Sequence, residues 1–268
     1  MRVLLAGIGL MGVLTAAGQS VPALRQAAHQ GDGAAALALA EAYTYGSLGL
    51  APSPDSAARY LRAAALAGHP DGQYLWGTGL LAGKYPAPDR RTGVDWLIRA
   101  AAQRQRQAHE VLVRWFGEPN QATFGPTKPD SAYQPTRALF YATQGAALGS
   151  SECAYYAALA YHSAHGTPTS DSLALGYLTQ AATAGHRAAL NTLATWYLTG
   201  ATQAGTQPQR ARTLFLKLRA LSVNDLENRT YARVGLHGTE QLLRKQVNTL
   251  YQGLGWPPQS GVRLPIRP

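Results

Sequence analysis

Ala64-Ala65-Leu66-Ala67-Gly68 decides the fold, because its pattern of two small residues with glycine three positions later returns along the chain. The pattern recurs at 27–31, 145–149 and 181–185, and 100–104 keeps the phase with arginine in place of glycine. The five stretches end at residues 31, 68, 104, 149 and 185, so the intervals are 37, 36, 45 and 36 residues. Repeats of this length are typical of stacked helix pairs, none of which buries its apolar face alone. The spacing therefore favours a binding scaffold over a compact enzyme.

Each repeat begins with a predicted helix of fixed pattern. Position 1 is small, position 5 is usually large and apolar, position 6 is small or apolar, position 9 is usually aromatic, and position 12 is often glycine. The clearest example is Ala189, Leu193, Ala194, Tyr197 and Gly200. Positions 1, 5 and 9 share one face of a helix, which we expect to pack against neighbouring helices. Glycine at position 12 suits a left-handed helix end.

A second helix follows a loop in each repeat. Its predicted starts contain Asp or Ser, which can cap the free amides of a first helical turn, at Pro54-Asp55-Ser56, Pro88-Asp89 and Ser170-Asp171-Ser172. An aromatic residue then precedes the small pair, and it is expected to fill the space beside a tight helix crossing. These aromatic residues are Tyr60, Trp96, Tyr141 and Tyr177.

This combination resembles the Sel-one-like repeat (SLR) family, a branch of the tetratricopeptide-type helical solenoids, over about residues 22–220. The resemblance implies an all-α fold, a right-handed α-solenoid of about five SLR helix-turn-helix repeats with a C-terminal capping helix. The alternative is an unrelated all-helical bundle. Arg104 and Pro119 depart from the family pattern, and the segment from Gln203 reads as a divergent cap.

Three segments are predicted. Residues 1–18 resemble a signal peptide, with Arg2, an apolar run over 3–17 and small residues at 16–18, and an uncleaved N-terminal anchor is the alternative. Residues 19–220 form the SLR repeat solenoid, and 221–268 form a basic C-terminal region with a capping helix over 239–253 and a Pro-rich tail. No transmembrane span is expected after signal cleavage. We expect a periplasmic or secreted protein of the bacterial cell envelope.

Charge is concentrated at the C-terminal end. The formal charge is +10, and from Arg210 onward ten bases face three acids. Such an end suits an anionic partner such as an acidic polysaccharide or a lipid surface, and the alternative is a basic surface that serves solubility alone. The predicted helix over 239–253 also has two interpretations: it caps the end of the solenoid, or it binds a membrane surface. Nucleic acid is not an expected partner.

Catalytic and metal-binding patterns are incomplete. Cys153 is the only cysteine, which excludes an intramolecular disulfide, and its place in the repeat predicts a buried small residue. His109-Glu110 opens a zinc-protease pattern, but Val113 occupies the place of the second histidine. His162 and His165 lie one turn apart without a carboxylate close in sequence, so we interpret them as surface residues. We expect no enzymatic activity, no catalytic residue, no cofactor and no metal.

In similar solenoids the first helices line the concave surface. Positions 3, 7 and 10 lie opposite the packing face, and we expect their side chains to bind an extended peptide or a glycan. The predicted stripe consists of Glu41, Thr44, Tyr74, Thr78, Glu110, Arg114, Tyr155, His162, Asn191 and Thr195. The alternative is that these residues are merely solvated. The predicted function is a protein-interaction scaffold, with a regulator or carrier that binds acidic polysaccharide through the basic C-terminal region as the alternative.

Overall fold

The computed structural model describes residues 20–85, 90–117 and 133–200, together with 207, 209–211, 213, 214, 216, 217 and 220. The chain divides into two compact units, unit 1 up to Ala184 and unit 2 from Gly185. The predicted signal peptide over 1–18, residues 118–132 and the predicted capping helix over 239–253 lie outside the described residues. The predicted division into segments 1–18, 19–220 and 221–268 stays a prediction.

Within the described residues the chain is helical and contains no strand. The helices are α1 (Val21–His29), α2 (Gly33–Tyr45), α3 (Pro54–Leu66), α4 (Pro70–Leu81), α5 (Arg90–Ala102), α6 (Arg106–Gly117), α7 (Pro135–Ala147), α8 (Ser151–His162), α9 (Asp171–Thr183) and α10 (Arg187–Thr199). In unit 1 each helix packs against the next one along the chain. We call α2, α4, α6, α8 and α10 the first helices, and α1, α3, α5, α7 and α9 the second helices. This order of stacked hairpins confirms the predicted α-solenoid. None of these helices has the length and apolarity to cross a membrane.

The small pair and its glycine form the end of each second helix. In unit 1 the amide of the residue after the glycine position donates to the first carbonyl of the small pair, five residues back. One example is His69, whose amide lies 3.0 Å from the carbonyl oxygen of Ala64. This is the Schellman arrangement, which needs a left-handed residue between the two partners. Gly68 supplies it with φ of 85°.

The residue after the glycine position also caps the next first helix. Asp32 accepts from the amides of Ala34 and Ala35, at 2.9 and 3.1 Å. The same role falls to Nδ1 of His69, Oε1 of Gln105, Oγ of Ser150 and, in unit 2, Nδ1 of His186. One short turn therefore ends a second helix and starts a first helix, which is why the repeat keeps its phase.

A second fixed link joins the two helices of a hairpin. The backbone carbonyl of the residue at position 9 accepts a hydrogen bond from the amide that precedes the second helix: Tyr43 from Ser53, Phe116 from Gln134 and Tyr161 from Ser170. In unit 2, the carbonyl of Tyr197 accepts from the amide of Gln207. Ser53 and Ser170 are also the N-caps of α3 and α9. The cap predicted for α3, Asp55 or Ser56, was therefore placed two or three residues late, because Pro54 occupies the first helical position and Ser53 precedes it.

The predicted packing face is confirmed. Leu39 and Leu112 at position 5 are fully buried, as are Leu97 and Leu178 on the second helices, and burial of each contributes about 1.5–3 kcal/mol. Aromatic residues at position 9 stack on the aromatic residue of the second helix with ring centroids 5.7–5.8 Å apart, in the pairs Tyr43–Tyr60, Phe116–Tyr141 and Tyr161–Tyr177.

Candidate functional site

The first helices of unit 1 form one continuous layer. α2 contacts α4, α4 contacts α6, and α6 contacts α8, whereas among the second helices only α1 and α3 approach each other as closely. A stack whose first helices lie nearer to one another than its second helices bends toward the first helices. The first helices of unit 1, which carry eight residues of the predicted stripe, therefore form its inner layer.

The structure places eight of the predicted stripe residues in unit 1. Thr44 is exposed, and the others are partly buried: Glu41, Tyr74, Thr78, Glu110, Arg114, Tyr155 and His162. Asn191 and Thr195 lie on α10 in unit 2, where both are exposed. The unit 1 residues Glu41, Tyr74, Glu110 and Arg114, together with Asp71, are called the first-helix stripe below.

Two carboxyl groups of the stripe, Glu41 on α2 and Asp71 on α4, interact electrostatically. Burial raises the pKa of the Glu41 carboxyl, and the negative charge of Asp71 raises that pKa further. The carboxylate of Asp71 accepts a hydrogen bond from Nε2 of Gln105, at 2.9 Å, which orients it from the neighbouring repeat. Two carboxyl groups from two repeats therefore act on each other across the stripe.

Tyr74 connects α4 to α6. Its hydroxyl has a raised pKa, chiefly because it is buried, and also because the charges of Glu110 and Asp71 disfavour a phenolate there. Arg114 acts in the opposite direction and lowers the pKa of Tyr74. The surroundings of the Tyr74 hydroxyl thus combine two carboxylates with one guanidinium, drawn from two helices.

Glu110 is held by the next repeat and not by a base. Its Oε1 accepts a hydrogen bond from Oγ of Ser150, at 2.7 Å, at the start of α8. Arg114 lies one turn along the same helix, yet among the described residues no ion pair within 4.0 Å joins it to Glu110. The Nε atom of Arg114 is buried and has no hydrogen-bond partner among those residues. The stripe therefore holds three carboxylates that no cation of the described chain neutralises by direct contact.

The threonines of the predicted site have a local role. Oγ1 of Thr44 donates to the carbonyl of Ala40, and Oγ1 of Thr78 donates to the carbonyls of Tyr74 and Leu75. In unit 2, Oγ1 of Thr195 donates to the carbonyl of Asn191. Because each hydroxyl proton is directed to its own helix, these side chains offer a partner methyl groups and acceptor oxygens.

His162 gains a partner that the sequence did not suggest. Its Nδ1 lies 3.8 Å from Oδ1 of Asp171, at the start of α9, and both side chains are 36% exposed. His165 is exposed in the loop between them. Within the part of the chain that is described, no three His, Cys, Asp or Glu side chains gather to hold a metal ion.

Sequence reasoning missed Asp71, Gln105 and Ser150 as residues of the site. All three lie at the start of a first helix, before position 1 of the helix pattern from which the stripe was predicted. Asp71 precedes Tyr74 by three residues, a spacing that puts two side chains on the same face of a helix. That spacing would have added Asp71 to the predicted stripe, whereas the contacts of Gln105 and Ser150 reach into other repeats.

Cys153 is buried, as its place in the repeat predicted, at position 1 of α8. A Cβ atom added to Gly145 would collide with its Sγ and would lie 3.0 Å from the Cβ of His109. Burial raises the pKa of the thiol to about 12. The thiol therefore stays protonated at neutral pH and fills the junction of α6, α7 and α8 as a small apolar group.

Comparison with known proteins agrees with this architecture. The Sel1 repeat family model matches residues 33–69, 70–104 and 151–186. The crystal structure of a Sel1 repeat protein from Oxalobacter formigenes is similar, with a TM-score of 0.56 and 22% sequence identity over 77% of this chain and 82% of that one. At that identity the likeness concerns the fold alone.

Two further solved structures are more distant. A protective antigen of uropathogenic Escherichia coli with an SLR fold has a TM-score of 0.46 and 19% identity, over 96% of this chain and 64% of that one. An immunity protein from Pseudomonas aeruginosa has a TM-score of 0.41 and 18% identity, over 75% of this chain and 73% of that one. No curated protein sequence matches the chain.

Proposed function

The chain contains three Sel1 repeats. From that premise we propose that it is a non-enzymatic scaffold that holds an extended segment of a partner protein along the first-helix stripe of unit 1. Proteins with Sel1 repeats generally act as protein-interaction scaffolds. One observation carries the proposal. Successive first helices contact one another and bring Glu41, Asp71, Tyr74, Glu110 and Arg114 from three repeats into one electrostatically coupled surface.

The chemistry of that surface suits a peptide. Tyr74 offers a large, rigid ring whose hydroxyl can exchange hydrogen bonds, and Arg114 offers donors to backbone carbonyls. The stripe runs across α2, α4 and α6, so a segment bound along it would contact several repeats and gain affinity from each.

The proposal is tested by peptide display with the purified full-length chain as bait, followed by fluorescence anisotropy on the selected peptides. The double variant Tyr74→Ala/Arg114→Ala should weaken their binding at least tenfold, because it removes the central ring and the guanidinium. Phe140→Ala/Arg62→Ala is the matched control, since it removes an exposed aromatic residue and an arginine from the second helices. Equal affinities for the parent chain and the stripe variant would contradict the proposal.

We also propose that the protein works in the cell envelope, on the strength of the signal-like residues 1–18. A fusion of the full chain to alkaline phosphatase, which is active only outside the cytoplasm, tests this location. We expect phosphatase activity with the native N-terminus and none after deletion of residues 2–18. Activity that is absent in both fusions would contradict the envelope role and leave the stripe proposal untouched.

A further inference from the structure

Charge in unit 1 is sorted by helix class. The first helices α2, α4, α6 and α8 carry four acids, Glu41, Asp71, Glu110 and Glu152, against the two bases Arg106 and Arg114. The second helices α1, α3, α5, α7 and α9 carry seven arginines against the three acids Asp55, Asp95 and Asp171. The inner layer is therefore net negative in a chain whose formal charge is +10.

The carboxylates on the inner layer are fixed in place. Gln105 holds Asp71 and Ser150 holds Glu110, each by a hydrogen bond from the following repeat, at 2.9 and 2.7 Å. Both donors are neutral, so they orient the carboxylates without cancelling their charge. Neither acid, nor Glu41, has a cation within 4.0 Å among the described residues.

This negative charge acts in partly buried surroundings. Burial and Asp71 raise the pKa of Glu41, and Asp71 and Glu110 add to the burial that raises the pKa of Tyr74. Charges in such surroundings are screened less than charges on an open surface, and a bent layer concentrates their field on its inner side.

We propose that the first-helix stripe selects a basic peptide segment, whose Lys or Arg side chains pair with Asp71 and Glu110 and whose backbone lies over Tyr74. The inference rests on the proposed function and specifies the partner's charge. The arginine-rich second helices repel the same segment and so confine it to the inner layer. An acidic segment would meet the opposite pattern, with repulsion at the stripe and attraction to the second helices.

The test uses the full-length chain and three fluorescein-labelled decapeptides of Gly and Ser that carry four Lys, four Glu or no charge. At low salt the Lys peptide should bind at least tenfold more tightly than the neutral peptide, and the Asp71→Asn/Glu110→Gln variant should remove most of that difference. Asp55→Asn/Asp95→Asn removes two carboxylates from the second helices and should leave the affinity within about twofold.

A charge-reversed variant keeps the test independent of simple loss of folding. Asp71→Lys/Glu110→Lys, with helicity checked by circular dichroism, should shift the preference from the Lys peptide to the Glu peptide. Equal binding of the Lys and Glu peptides to the parent chain, or an equal loss in the second-helix control, would overturn the charge preference.

The outcomes separate this inference from the proposed function. If the neutral peptide binds as tightly as the Lys peptide and Tyr74→Ala abolishes both, the stripe binds peptides and the charge inference is wrong. If Tyr74→Ala changes the binding of neither these peptides nor the displayed peptides, the charge inference and the proposed function are both wrong.

Discussion

Arg104 has the backbone conformation that glycine has at the equivalent position of the other repeats. Its φ is 63°, against 82–92° at Gly31, Gly68, Gly149 and Gly185. An L-residue in this region costs about 1–2 kcal/mol, because its Cβ crowds the following carbonyl. The amide of Gln105 still reaches the carbonyl of Ala100, at 3.1 Å, so the turn is intact in spite of that cost. The sequence located this departure correctly, and the structure shows that the turn tolerates it.

Arg104→Gly should raise the free energy of unfolding by about 0.5–1 kcal/mol, because relief of the crowded conformation outweighs the added freedom of the unfolded chain. Urea denaturation followed by circular dichroism measures the change. Gly176→Ala is the control, since Gly176 lies inside α9 with open space around it, and alanine there should also stabilise by about 0.5–1 kcal/mol. A loss of stability in Arg104→Gly would show that the arginine side chain has a role of its own.

At the scale of the element, the crossing of α4 and α5 depends on two glycines. A Cβ on Gly77 would lie 2.8 Å from the carbonyl oxygen of Gly93 and 3.0 Å from Cγ of Leu97, and a Cβ on Gly93 would lie 3.0 Å from the carbonyl oxygen of Gly77. The backbones are therefore in contact with no room for a methyl group. The sequence predicted a small residue at position 6, but the need for glycine on both helices follows only from the distance between them.

Gly77→Ala should lower the free energy of unfolding by about 1–3 kcal/mol, because the new methyl group must push the two helices apart. Helix propensity alone predicts the opposite sign, since alanine is the better helix former. Thermal or urea unfolding decides between the two effects, with Gly176→Ala as the reference for propensity without a crossing. A stability gain of equal size in both variants would mean that the crossing relaxes without strain.

On the scale of the molecule, unit 1 is a row of hairpins in which each packs on its neighbours and no central core gathers them all. Its stability should therefore depend on each hairpin and on the interfaces between neighbours. Leu39, fully buried in α2, belongs to a cluster that includes Leu24 and Tyr60 of the adjoining helices. The loss of stability caused by a substitution at this position should extend to neighbouring hairpins and decrease with distance along the row.

Leu39→Ala should cost about 2–5 kcal/mol in the hairpin that contains it. Hydrogen exchange measured by mass spectrometry should show the largest loss of amide protection in residues 21–66 and the smallest in residues 151–183. Leu112→Ala, at the same position of α6, is the matched variant, and it should shift the largest loss of amide protection to residues 90–117 and 135–147. An equal loss of protection throughout unit 1 in both variants would instead indicate one cooperative core.

The sequence by itself determined the repeat, its phase, the helix pairs and the packing face. These are local properties: a small pair, a left-handed turn residue and an apolar face recur at fixed spacing, and each acts within a few residues of itself. It also located the first-helix positions that the structure places on the inner layer. His69 and His186 were not expected as caps, because histidine is not among the residues that usually occupy that position.

Only the tertiary structure decided how the stripe is charged and held. The links from Gln105 to Asp71 and from Ser150 to Glu110 join residues 34 and 40 positions apart. The effect of Asp71 on Glu41 depends in the same way on the contact between α2 and α4. Electrostatic interactions depend on distance in space and on burial, and a linear pattern gives neither until the hairpins have stacked.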